Sequence, residues 1–260
     1  MDWNWMYTLS GFVVGAIVGL TGVGGGSLMT PLLVLLFGIH PATAVGTDLL
    51  YAAITKAGGT IVHGRKGHVD WRITRLLASG SIPAAALTIW ALSFLPKQSA
   101  AVSHVISFSL GIALLLTAAA IIFRQKLQQQ ALAHAEDTAH TQLRAPITVA
   151  VGALLGVLVS ISSVGAGALG VAVLFYLYPR LPAIRIIGSD VAHAVPLTLI
   201  AGLGHWLIGS VDWSLLGSLL VGSLPGIWLG SHASARIPER FLRPALAGML
   251  LLIGGKLIAQ

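Results

Sequence analysis

Two aspartates stand inside long apolar runs, in the matching tripeptides Gly46-Thr47-Asp48 and Gly188-Ser189-Asp190. An ionisable side chain at bilayer depth costs about 2.5–3.5 kcal/mol on insertion scales, so each is a candidate functional group. Thr47, Asp48, Ser189 and Asp190 could bind a substrate, and the two acids could carry a coupling proton. Each acid could instead hydrogen-bond a neighbouring broken helix and hold it in place. Lys56 follows Asp48 by about two helical turns. It either neutralises an acid and attracts an anion, or snorkels to the nearby interface. His193 lies three residues after Asp190, on the same helical face, where the two could pair.

A second kind of chemistry needs no side chains. Gly22-Val23-Gly24-Gly25-Gly26-Ser27 interrupts apolar sequence, and Ser162-Ser163-Val164-Gly165-Ala166-Gly167-Ala168 does so again. Irregular backbone at bilayer depth must face protein or a water-filled cavity. A fresh helix start after such a break offers free N–H groups and a positive dipole end, which suit an anion. Gly24, Gly25, Gly26 and Ser27 are therefore candidate ligands, as are Ser163, Gly165 and Gly167. The bland alternative is close helix packing through small residues. The breaks differ: Ala166 and Ala168 stand where the first has glycine and Ser27, so the two half-sites need not contribute equally.

The elements that position these groups follow from composition. The chain is 56% hydrophobic and 9% charged, with mean hydropathy +0.89. Soluble domains carry about a quarter charged residues. The pattern is that of an all-α polytopic membrane protein, and the apolar runs are too long and too little alternating for a β-barrel. The net charge of +7 does not indicate nucleic acid, because Lys and Arg cluster in short loops between apolar runs. The absence of cysteine removes disulfides and thiol chemistry. The start of the chain lacks a basic residue before the first apolar run and does not resemble a cleaved signal peptide; Trp3, Trp5 and Tyr7 suit an interfacial belt.

In order, apolar segments are expected from about Tyr7 to Leu20, Leu28 to Phe37, Ala42 to Val62, Ile73 to Leu95 and Ala101 to Phe123. Residues 124–145 form a polar, partly helical cytoplasmic linker between repeats at 1–123 and 146–260. The pattern then restarts. Gly152–Gly156 matches Gly15–Gly19, Val164–Leu169 matches Val23–Leu28, and Val211-Asp212-Trp213 matches Val69-Asp70-Trp71. Pro225 matches Pro83, and His205 matches His63; both histidines are expected at the interface. From Gly46 onward one constant offset holds, which chance apolar similarity rarely sustains.

Charge then predicts orientation. His63–Arg72 is basic whereas its counterpart, Gly209–Trp213, has no Lys or Arg; Arg236–Arg243 is basic whereas its counterpart has only Lys97. The bias reverses between halves, which predicts two inverted-topology repeats of about five helical segments each, opened by a broken helical hairpin. Trp71 and Trp213 are expected as interface anchors.

The two glycine breaks, the Gly-Thr-Asp and Gly-Ser-Asp pair and the paired Val-Asp-Trp loops resemble the sulfite exporter TauE/SafE family of membrane permeases, over nearly the whole chain except the linker. The resemblance implies export of sulfite, or of organosulfonates such as sulfoacetate, across the cell (inner) membrane, with proton coupling. It implies no cofactor. The expected partners are a small anionic substrate and the lipid bilayer, with a second copy of the chain as a candidate homodimer partner and no nucleic acid.

Other classes compete. A passive anion channel would share the architecture and differ in unsaturable flux. A regulatory membrane subunit would show no flux. An intramembrane enzyme lacks support, since H-E-x-x-H, G-x-S-x-G and cysteine are all missing, and so is G-x-x-x-x-G-K-[ST] for ATP-driven transport.

Overall fold

The computed structural model describes residues 5–21, 26–95, 99–133, 138–233 and 239–259. Among them the chain is all-helical, with helices α1 Trp5–Thr21, α2 Gly26–Leu35, α3 Pro41–Arg65, α4 Trp71–Ser93, α5 Ala100–Ala133, α6 Thr138–Ser162, α7 Ala168–Leu177, α8 Ala183–Leu207, α9 Trp213–Ala233 and α10 Glu239–Ile258. Five stretches are long and apolar enough to cross a bilayer: Trp71–Ser93, Ala100–Arg124, Arg144–Ser162, Ala183–Leu207 and Trp213–His232. Trp5–Leu20, Ala168–Leu177 and Pro244–Ile258 are apolar but shorter. The chain is a multi-pass helical membrane protein. α3 matches α8 in length but is less hydropathic, because it carries Arg65 besides Asp48 and Lys56 and has fewer Ile and Leu. α5 runs on to Ala133, ten residues beyond the apolar run expected from sequence, because the Gln- and Ala-rich stretch favours helix.

α3 and α8 pack together at the centre, α1 lies on α9, α4 on α6, and α5 on α10. Small residues set these distances. A Cβ built on Gly11 would lie 2.5 Å from the Leu219 carbonyl oxygen, and one on Gly15 equally close to that of Ser223. On the other side, a Cβ on Gly152 would lie 2.2 Å from the Leu77 carbonyl oxygen and one on Gly156 2.4 Å from that of Ser81. Backbones this close gain dispersion contacts that lipid cannot replace. These contacts also correct the repeat register: Gly152 corresponds to Gly11, and Gly156 to Gly15, one turn away from the match that the sequence suggests.

The ends of α3 and α8 are built alike. Gly67 (φ 68°) and Gly209 (φ 72°) take the left-handed conformation just past each helix. The next amides turn back, His68 N–H to the His63 carbonyl at 2.9 Å and Ser210 N–H to the His205 carbonyl at 2.8 Å. Asp70 then caps α4 by accepting from the amides of Arg72 and Ile73, and Asp212 caps α9 by accepting from Leu215. Leu33, Leu49, Leu114, Leu174, Leu197 and Tyr51 fill the interior, while Trp90, Phe94, Leu207, Trp228 and Leu252 stand exposed on the outside, where hydrocarbon would cover them. Trp71 and Trp213, expected as interface anchors, are equally exposed at 52%.

Candidate functional site

The two tripeptides lie at the closest approach between the halves. Gly46 faces the loop before α9, where a Cβ would sit 2.1 Å from the Ser210 carbonyl oxygen. Gly188 faces the loop before α4, with the His68 carbonyl oxygen at 2.2 Å. The neighbouring hydroxyls bind these loops. Thr47 Oγ1 accepts from the Asp212 amide at 3.1 Å, and Ser189 Oγ accepts from the Asp70 amide at 2.8 Å. Ser189 also donates to the Arg185 carbonyl. Thr47 and Ser189 are fully buried. They hold the opposite half's helix starts, a role that the repeat pattern alone did not indicate.

One residue on, the acids turn toward the broken helices. Asp48 is fully buried, and Thr30 of α2 donates a hydrogen bond to its Oδ2. Its Oδ1 has no hydrogen-bond partner among the described residues. Ser163, from the second break, stands close to this carboxylate, without hydrogen-bond geometry to it. Asp190 is 1% exposed, and neither of its oxygens has a partner among the described residues. Its Oδ1 lies against the first turn of α7, where a Cβ on Gly170 would be 2.0 Å away. The second half has no hydroxyl matching Thr30; Val171 stands there. Two acids at matching positions thus differ in satisfaction, one held by a donor and one bare.

Lys56 joins them. Its ammonium donates to the Ala166 carbonyl at 2.8 Å, inside the second break, and its charge acts on both Asp48 and Asp190. The half-buried lysine points inward, which the snorkelling alternative did not anticipate. The break itself is left-handed or Gly-only in three places: Ser163 (φ 59°), Gly165 (φ 131°) and Gly167 (φ 139°). The buried Ser163 hydroxyl has no hydrogen-bond partner among the described residues, and a non-Gly residue at such φ persists only where its surroundings enforce it. In the first break, Gly26 opens α2 and Ser27 is buried in its first turn, whereas Gly24 and Gly25 lie outside the described residues.

His193 does not pair with Asp190. Its Nε2 shares a hydrogen bond with Ser81 Oγ of α4 at 2.8 Å, because α4 rather than α7 packs on that face. The matching position in the first half is Tyr51, buried one turn after Asp48 with Ser223 as its neighbour. His205 is also a correction: it is 1% exposed, not interfacial, and its Nε2 donates to the Ser160 carbonyl at 2.9 Å. Thr30, Gly170 and Tyr51 are site residues that sequence reasoning missed. The signal for Thr30 was present, a second hydroxyl after Ser27 in the short apolar helix that follows the break. Among the described residues no group of three His, Asp or Glu is placed to hold a metal.

Two acids, one lysine and the starts of two helices after the breaks stand at the centre. The lysine and the N–H groups attract an anion, while ionised carboxylates repel it, so anion occupancy and carboxylate protonation are linked.

Comparison with known proteins agrees with a membrane transporter. The family model described as Sulfite exporter TauE/SafE matches residues 7–257. A protein of Bacillus subtilis (strain 168), probable membrane transporter protein YjnA, is 40% identical over 250 residues, covering 96% of this chain and 98% of its own. The probable membrane transporter protein YdhB of the same organism is 31% identical, with 93% and 97% covered. A probable membrane transporter protein of Haemophilus influenzae is 26% identical over 94% of both chains. No solved structure matches.

Proposed function

Because the chain belongs to the sulfite exporter TauE/SafE family, we propose that it is a secondary transporter that exports a small sulfur oxyanion or organosulfonate across the cell (inner) membrane. The observation that carries this reading is the Lys56 ammonium, bonded to the second helix break and acting by its charge on both buried acids, Asp48 on α3 and Asp190 on α8. Buried charge that packing could have replaced is costly, and within membranes it marks ion and substrate pathways.

In this reading the two halves are inverted repeats, and each tripeptide serves both as a hinge contact and as part of the site. Gly46 and Gly188 let the loops approach, Thr47 and Ser189 tie them, and Asp48 and Asp190 respond to the occupant. Rocking of one half against the other would move the loops and the acids together. Protonation of the acids removes their repulsion of an anion, which couples flux to pH. The start of α2, with Gly24, Gly25, Gly26 and Ser27, and the strained second break supply backbone donors to the oxyanion. No bond is made or broken, so the reading assigns no catalytic residue.

The test is flux in proteoliposomes with an imposed pH gradient, offering sulfite, sulfate, sulfoacetate, taurine and chloride. Saturable, pH-dependent movement of sulfite or a sulfonate is expected. Linear flux of many anions would make the protein a channel, and no flux would remove the transporter reading.

A further inference from the structure

A cavity of about 510 Å3 lies away from the central acids, where α4 begins, α6 begins and α7 ends. Its lining includes Arg72, Arg144, Arg180, Asp70 and Tyr178. Tyr178 Oη and Thr148 Oγ1 share a hydrogen bond at 2.7 Å, and Thr148 donates to the Arg144 carbonyl. That link pins the end of α7 to the start of α6 and fixes Arg144 and Arg180 around one space. The Arg144 Nε is buried with no hydrogen-bond partner among the described residues. Leaving a guanidinium donor unpaired in a buried place is costly, and an occupant would satisfy it. Asp70 is the acid in the lining, and its Oδ1 already accepts from the Arg72 and Ile73 amides. Three guanidiniums therefore face one carboxylate that is partly spent.

The fold does not require this charge. The matching positions in the other half are Ser214 for Arg72, Phe37 for Tyr178 and Ile39 for Arg180. Orientation in the membrane needs basic loops, but it does not need three arginines converging on one cavity. Guanidinium groups match the planar oxygens of phosphate and sulfonate, and the volume is that of a small-molecule site.

The geometry points to an oxyanion site in this cavity, for a phosphate or sulfonate group carried either by a lipid headgroup or by a small soluble molecule, and separate from the central acids. Asp48 and Asp190 do not line it, so the site stands or falls independently of the transport reading.

Calorimetric titration of the purified protein in neutral detergent tests this with three probes: sulfoacetate, inorganic phosphate and dihexanoyl phosphatidylglycerol. Saturable binding of at least one is expected. Binding of the phospholipid alone makes it a headgroup site, and binding of either soluble anion makes it a small-molecule site. Arg180 is exposed, so Arg180→Gln should leave folding intact and weaken binding about tenfold or more, the loss expected when one charge-assisted contact goes. Arg144→Gln combined with it should abolish binding at this cavity. Arg75→Gln, which lies outside the lining, should bind as wild type. The assignment is overturned if no probe saturates, or if Arg180→Gln binds every probe as tightly as wild type.

Discussion

The backbone amide of Asp212 donates to the Thr47 hydroxyl, and by the same rule the amide of Asp70 donates to Ser189. Thr47 and Ser189 differ in position by the same 142 residues as Asp70 and Asp212. Each hydroxyl thus reaches the loop of the half to which it does not belong.

These two bonds should matter about equally. Thr47→Val and Ser189→Ala each strand a loop amide, at about 1–3 kcal/mol apiece. Both should lower the midpoint of thermal unfolding in detergent, and the double variant should be close to the sum, since the sites share no partner. Unchanged midpoints in both would mean that the hydroxyls do not hold the loops.

Gly46→Ala and Gly188→Ala would push a methyl into a carbonyl oxygen at about 2 Å. Overpacking of this kind costs about 1–3 kcal/mol. Gly58 in the same helix as Gly46 meets nothing within 4 Å, and Gly58→Ala should be neutral or stabilising by up to about 1 kcal/mol. Comparing the three unfolding midpoints separates close approach from helix propensity.

Asp48→Asn should abolish anion flux in proteoliposomes while the protein elutes as a monodisperse species, and Asp190→Asn should do the same. Thr30→Val removes the donor to Asp48, a hydrogen bond to a charged group worth about 1.5–3 kcal/mol. It should therefore lower flux without abolishing it. Wild-type rates in both aspartate variants would remove these acids from the transport path.

Lys56→Gln should weaken anion binding and flux, because the ammonium that acts on both carboxylates is lost. Lys56→Arg keeps the charge and should retain part of the activity. If the glutamine variant carries anions as wild type does, the lysine is a packing residue. Gly170→Ala, which crowds Asp190 Oδ1, should depress flux through the second acid alone.

Much of this was legible in the sequence. Helix number and type followed from apolar run length, and the two acids stood out because charge inside an apolar run has few reasons to exist. What Thr47, Ser189 and His205 touch was not legible. The partners of Thr47 and Ser189 lie in the other half and that of His205 lies on α6 of its own half; a repeat pattern shows which residues match without showing which ones meet. The register slip at Gly152 has a plainer cause. Glycines at four-residue spacing look the same after a shift of one turn, and only the carbonyls they pack against choose between the alternatives. Tyr51 and His193 occupy matching positions with different chemistry, so a search for like residues passed over Tyr51.

The interlocking of the halves bears on how the protein is made. α1 is covered by α9 and α4 by α6, so the first five helices enter the membrane before their packing surfaces exist. Until α8 arrives, the Asp70 amide lacks the Ser189 hydroxyl that receives it. Insertion and folding are therefore separate events, and the finished architecture closes only when the last helices are in. Two separately expressed halves would each remain an unassembled set of spans until they met in the same bilayer.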